Sequence, residues 1–150
     1  MPDKETLERA EKDKEEGKSP STQAGEFVRE EMDHIREGKH GAQSTKQAIA
    51  IGLSKARRAG VKLPPPKKGT TSSRTRRQAA RDVSKGESSS RRETSRTRSR
   101  ATRGALKREG HAAASRSALS RQARGAAAKR SRAARSQSAR KAAATRKRRK

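Results

Sequence analysis

Apolar residues are rare in this chain, and where they cluster they recur at helical spacing. In QAGEFVREEMDHIREGKHG, Val28, Met32 and Ile35 fall at i, i+4 and i+7, and Ala24 and Phe27 widen the stripe. That pattern predicts an amphipathic helix ended by Gly38 and Gly41, with Lys39 and His40 in the turn between them. The next stretch, STKQAIAIGLSKARRAG, opens with Ser44 and Gln47, an S-x-x-Q capping box that places the start of a second helix near Thr45. Ile49, Leu53 and Ala56 form its stripe, Ala48, Ile51 and Gly52 lie beside it, and Gly60 stands as the C-terminal stop. The run Leu63 to Pro66 cannot continue a helix. Residues 24–60 therefore predict a short αα-hairpin. A unit below about 40 residues is usually too small to sustain a core alone, so a second copy, a partner or DNA is expected to complete it.

The flanks carry weaker patterns. Asp3 to Glu16 predicts a charged helix with Asp3 or Thr6 as N-cap, Gly17 as stop, and Glu5–Arg9 and Glu8–Lys12 as i,i+4 pairs. With only Leu7 and Ala10 apolar, it is expected to be solvated, or to fold back as an acidic arm on the basic part of the chain. Residues 64–104 are Pro-rich and then Ser/Thr/Arg-rich, a low-complexity linker. From Ala105 the chain turns to Ala, Arg and Ser, and an Ala-Ala-Ala-x-Arg unit recurs at Ala112, Ala126 and Ala142. Alanine and arginine favour helix, but mutual repulsion of the arginines is expected to hold this tail open until it binds a polyanion. The organisation is thus an acidic arm at 1–18, a hairpin at 19–63, a linker at 64–104 and a basic tail at 105–150.

Composition sharpens this picture. The 150 residues include five Leu, three Ile, three Val and one Phe, against a formal charge of +26. That balance predicts a mostly disordered chain with local α-helix. The charge is uneven: residues 1–40 hold 8 Lys/Arg against 12 Asp/Glu, and residues 41–150 hold 34 against 4. Such a cationic region points to a dense polyanion as partner.

The residue types exclude most chemistry. There is no cysteine, and His34, His40 and His111 are scattered, with no ligand-like spacing on one helix. No metal or cofactor is expected, and no phosphate loop, dinucleotide fingerprint or nucleophile elbow occurs. The expectation is a protein that is not an enzyme. No apolar run approaches the roughly 20 residues of a membrane span, and the charged N-terminus does not resemble a signal peptide. A cytoplasmic, nucleoid-associated protein with no membrane partner is expected.

One aromatic residue, Phe27, leaves no platform for stacking single-stranded bases, which favours binding to a duplex backbone. After residue 69 Arg outnumbers Lys 21 to 6, and arginine grips phosphate bidentately and enters narrow minor grooves. The expected contacts are Lys46, Lys55, Arg57 and Arg58 on the second helix, Lys67 and Lys68 after the prolines, and then Arg76, Arg77, Arg91, Arg92, Arg116, Arg121, Arg124, Arg130, Arg146, Arg148 and Arg149. A helix-turn-helix reading of the hairpin is disfavoured, because its cations fall late in the second helix rather than near its start.

The stretch Ser19 to Lys68 resembles a family of small basic bacterial proteins whose domain is of unknown function. The likeness rests on KHG, Lys39 to Gly41, followed by STKQAIAIGLSKAR from Ser44. It implies a bacterial, cytoplasmic protein and no particular activity. The Ala/Arg-rich end is similar in composition to the tails of linker-histone-like nucleoid proteins. The reading is a sequence-independent DNA-binding protein that neutralises and condenses duplex DNA through its tail, with self-association through the hairpin as an option. The alternatives are an RNA- or ribosome-associated protein, and a protein-interaction module docking through Phe27, Val28, Met32, Ile35, Ile49, Ile51 and Leu53.

Overall fold

The computed structural model describes residues 2–88 and 95–148. Seven α-helices follow one another: α1 Lys4–Glu15, α2 Pro20–Arg36, α3 Thr45–Arg58, α4 Ser73–Glu87, α5 Arg96–Lys107, α6 Arg116–Ala128 and α7 Arg132–Arg148. A single 3₁₀ turn at Ala112–Ala114 separates α5 from α6. The expectation of a mostly disordered chain is therefore wrong: both the linker and the tail are largely helical. Two compact units divide between Ser115 and Arg116.

In the first unit, local signals set the helix ends. Ser19, with Pro20 after it, caps α2, and Ser44 accepts the Gln47 N–H to open α3 at Thr45. Gly38 (φ 75°) and Gly60 (φ 94°) follow α2 and α3 in the left-handed region that a side chain disfavours, and Lys39 N–H and Val61 N–H close back on His34 O and Ala56 O.

Packing explains why twelve branched or aromatic residues suffice. Ala24, Phe27, Ile35, Ala48 and Ala56 are fully buried, and Leu53, Val61 and Leu63 lean on the Phe27 cluster. Small residues let the helices come close: a Cβ on Gly52 would stand 2.7 Å from Val28 Cα and 3.0 Å from Phe27 O. α1 lies on α2 with Thr6, Ala10 and Asp13 buried, so it is a packed element rather than a solvated arm.

The remaining walls come from the low-complexity region. α4 packs on α3 through Ala79 and Asp82. The end of α5 meets the hairpin turn, where Gly41 N–H bonds Leu106 O (2.9 Å) and Ala42 N–H bonds Gly110 O (3.1 Å). Thr45 Oγ1 donates to Ala113 O (2.6 Å) and Arg36 Nε to Ala114 O (3.1 Å). The first residues assigned to the tail thus help enclose the hairpin.

The second unit consists of α6 and α7 with no buried residue in either. Ser131 accepts from Ala134 N–H, and Arg130 donates to Ala134 O and bonds Ser138 Oγ. The serines that looked like linker filler act as helix caps here and at Ser72 and Ser95, each worth about 0.5–2 kcal/mol.

Two helical glycines should respond in opposite directions. Gly25 has open space around its missing Cβ. Gly25→Ala is expected to stabilise by about 0.5–1 kcal/mol in urea denaturation. Gly52→Ala is expected to destabilise by about 1–3 kcal/mol, because α2 must give way.

Candidate nucleic-acid interface and buried charge cluster

The cations of α3 turn inward. Lys55 Nζ lies 3.0 Å from Glu30 Oε1 and 2.8 Å from Glu31 Oε2, bridging α2 and α3. Arg57, only 7% exposed, donates to Leu63 O (3.2 Å) and Pro64 O (3.3 Å), holding the proline run against the helix end. Arg58 Nε donates at 2.7 Å to Asp82, which is 1% exposed and also accepts from Ser54 and Gln78. Of the four α3 residues expected to contact DNA, Lys46 alone is exposed without an ion pair among the described residues, so the other three hold the fold together.

Around Lys55 the charges are strongly coupled. Burial works to lower the Lys55 pKa, but Glu31 and Glu30 outweigh it and hold the ammonium above its ordinary value. Burial likewise works to raise the Glu30 pKa, and the Asp3 N–H (3.0 Å) together with Lys55 keeps it below the usual carboxylate range. Glu31 is fully buried. Neither of its oxygens makes an aligned hydrogen bond, although Lys55 Nζ and His40 Nε2 (3.3 Å) stand at ion-pair distance. Lys55 supplies the opposite charge there.

The outward cations form stripes. On α4, Arg74, Arg77, Arg81 and Lys85 recur at i, i+3, i+7 and i+11, all exposed, opposite the Ala79 and Asp82 face. On α5, Arg96, Arg100, Arg103 and Lys107 recur at i, i+4, i+7 and i+11, also exposed. None of these eight has an ion-pair partner among the described residues. Of the tail residues expected from sequence, Arg116, Arg121, Arg124, Arg130, Arg146 and Arg148 are exposed, with Arg130, just before α7, donating to Ala134 O in the first turn of that helix. Lys67, Lys68 and Arg77 are exposed, and Arg76 is half-buried. Arg91, Arg92 and Arg149 lie outside the described residues. From residue 116 onward there are 14 Lys/Arg and no Asp/Glu.

Arg74, Arg81, Lys85, Arg96, Arg100 and Arg103 are not among the contacts expected from sequence, because 64–104 reads as a structureless linker, and neither is Lys107 at the start of the tail. The helical period of the arginines was the available signal. The acidic residues of the N-terminal region are largely engaged locally: Arg9 pairs with Glu26 (2.8 Å), Lys14 with Glu11 (2.7 Å) and Lys18 with Asp13. Of the apolar docking face, Phe27, Met32 and Ile35 are buried, while Val28, Ile49, Ile51 and Leu53 are half-buried. No helix among the described residues is long and apolar enough to cross a membrane.

Removing Lys55 should expose the division between structural and surface cations. Lys55→Met leaves Glu30 and Glu31 buried without their counter-ion, and a loss of about 3–5 kcal/mol is expected in urea denaturation. Lys46→Ala, at an exposed site, is expected to stay within about 0.5 kcal/mol.

Comparison with curated proteins and with solved structures gives no match. Residues 18–68, which contain α2, α3 and the proline run, match the Family of unknown function (DUF6496).

Proposed function

We propose that this protein is a non-catalytic, sequence-independent nucleic-acid-binding protein that engages duplex DNA through exposed cationic helix faces. The observation that carries the reading is the sorting of charge: carboxylates neutralise Lys55 and Arg58 of α3, while the stripes on α4 and α5 and the acid-free second unit are left facing solvent. The α5 stripe spans all 12 residues of the helix, about 16 Å end to end at 1.5 Å per residue step. A duplex presents one phosphate charge per about 1.7 Å of axis, so such a stripe suits backbone contact. Arginine and lysine at helical spacing on a solvent face hold no base-specific pattern, which is why no preferred sequence is expected.

The Arg-rich helices also suit an RNA duplex, and the scarcity of aromatic side chains argues only against single-stranded targets. Nucleoid association and bacterial origin belong to this reading as its cellular counterpart.

Fluorescence anisotropy of the full chain on one labelled duplex, across a salt series, tests it. With about 10 phosphates neutralised, the slope of log K against log salt is expected near −9. The quadruple variant Arg96→Gln, Arg100→Gln, Arg103→Gln, Lys107→Gln is expected to reduce the magnitude of that slope by about 3–4. Competition by double-stranded RNA of equal length fixes the nucleic acid. Salt-independent binding, or a quadruple variant identical to the parent, contradicts the proposal.

A further inference from the structure

The turn between α2 and α3 brings together side chains that the sequence keeps apart. Glu31 and His34, one helical turn apart on α2, meet His40 from the turn, and one donor atom from each lies within 4.8 Å of the others. We infer that Glu31, His34 and His40 form a binding site for a single divalent transition-metal ion of the zinc class.

The hydrogen bonds of the two rings orient them for this. His34 Nε2 lies 3.0 Å from Asp3 Oδ2, and His40 Nδ1 lies 3.0 Å from Gly41 O. Both partners are acceptors, so those nitrogens carry a ring proton, and a metal ion would take His34 Nδ1 and His40 Nε2, displacing any proton that His40 Nε2 holds toward Glu31 Oε1. A metal-binding histidine characteristically gives its second nitrogen to a carboxylate or a backbone carbonyl in this way, which fixes its tautomer and orientation. Here both rings have such a partner.

The distances fit the ion. Metal bonds of about 2.0–2.1 Å to His nitrogen and carboxylate oxygen place neighbouring ligands of a tetrahedral centre about 3.3–3.4 Å apart. Glu31 Oε1 and His40 Nε2 are 3.3 Å apart. His34 offers a third donor atom within 4.8 Å of these two, and binding of the ion would draw its ring inward. Lys55 holds the other Glu31 oxygen, Oε2, leaving Oε1 facing the histidine.

Charge points the same way. Glu30 and Glu31 share one ammonium, Lys55, and Asp3 faces His34 beside them, while nearby Lys39 pairs with Glu37 at 2.9 Å. Three carboxylates and one ammonium leave two negative charges, which a divalent ion balances. Glu31 is fully buried and, with Oε2 held by Lys55, its Oε1 has no aligned hydrogen bond, a condition in which a buried acceptor calls for a ligand. Two imidazoles and one carboxylate select late first-row ions over magnesium or calcium.

The test uses the untagged full chain titrated with Co²⁺ and then with Zn²⁺. One Co²⁺ per chain is expected, giving the intense visible absorption of a four-coordinate centre, displaced by one equivalent of Zn²⁺. His34→Gln and His40→Gln are expected to abolish the absorption. Asp3→Ala is expected to keep the absorption but weaken affinity about 10–100-fold, the usual effect of losing a partner of a ligating histidine. Asp3 makes no side-chain cap and its side chain is 57% exposed, so this variant is expected to fold, as circular dichroism would verify. The parent chain's failure to take up a stoichiometric ion, or uptake unchanged in Asp3→Ala and His40→Gln, overturns the inference. A proton on His40 Nε2 would then be what faces Glu31.

Discussion

The structure depends on one buried constellation, the Lys55 ammonium held between Glu30 and Glu31. These groups belong to α3 and α2, and the Asp3 N–H at the start of α1 closes on Glu30. Three helices are thereby joined through charge at a point where the chain has few large apolar residues to offer. A buried pair of this kind offers little net stability compared with a well-packed apolar substitute. What it imposes is a requirement: Glu31 is fully buried, so any packing of α2 on α3 that takes Lys55 away leaves that charge uncompensated. Asp82 acts in the same manner between α3 and α4, gathering Ser54, Arg58 and Gln78.

This arrangement divides a very basic protein into two kinds of cation. Lys55, Arg57 and Arg58 on α3 meet acceptors within the fold and are lost to any outside partner, and only Lys46 of that helix stays free among the described residues. Those on the outer faces of α4 and α5, and on α6 and α7, have almost no acid near them. Each face keeps its cations on one side of a helix, where repulsion between neighbours is relieved by solvent and counter-ions. A polyanion that replaces those counter-ions gains from their release. The apolar hairpin therefore serves as a scaffold, and the charge it carries outward is what the proposed function uses.

Much of the hairpin was legible in the sequence. The i, i+4, i+7 stripe of Val28, Met32 and Ile35, the Ser44–Gln47 box and Gly60 locate α2 and α3 closely, because periodicity and capping are local properties. The α1 boundaries followed from Asp3 and Gly17 for the same reason. What failed was the inference from scarcity of apolar residues to disorder. Hydrophobicity counts undervalue alanine and glycine, which bury little area but let backbones approach, as at Gly52 on Val28. They also treat charge as an obstacle to folding, whereas Lys55, Arg57 and Arg58 are fixed by specific acceptors. Those acceptors are distant in sequence: Glu30 and Glu31 for Lys55, Leu63 and Pro64 for Arg57, Asp82 for Arg58. The meeting of His34 with His40 and Glu31 was hidden because the turn at Gly38, and not a helical repeat, makes them neighbours.

Lysine acetylation of the full chain, mapped by mass spectrometry with and without a duplex DNA, tests the division of labour most directly. The account predicts that Lys55 is unreactive in both states, while Lys85, Lys107, Lys129 and Lys141 react readily in the free protein and become protected on DNA. A Lys55 that reacts in the free chain and is shielded by DNA would contradict it, since the hairpin would then be the binding surface and the outer stripes bystanders.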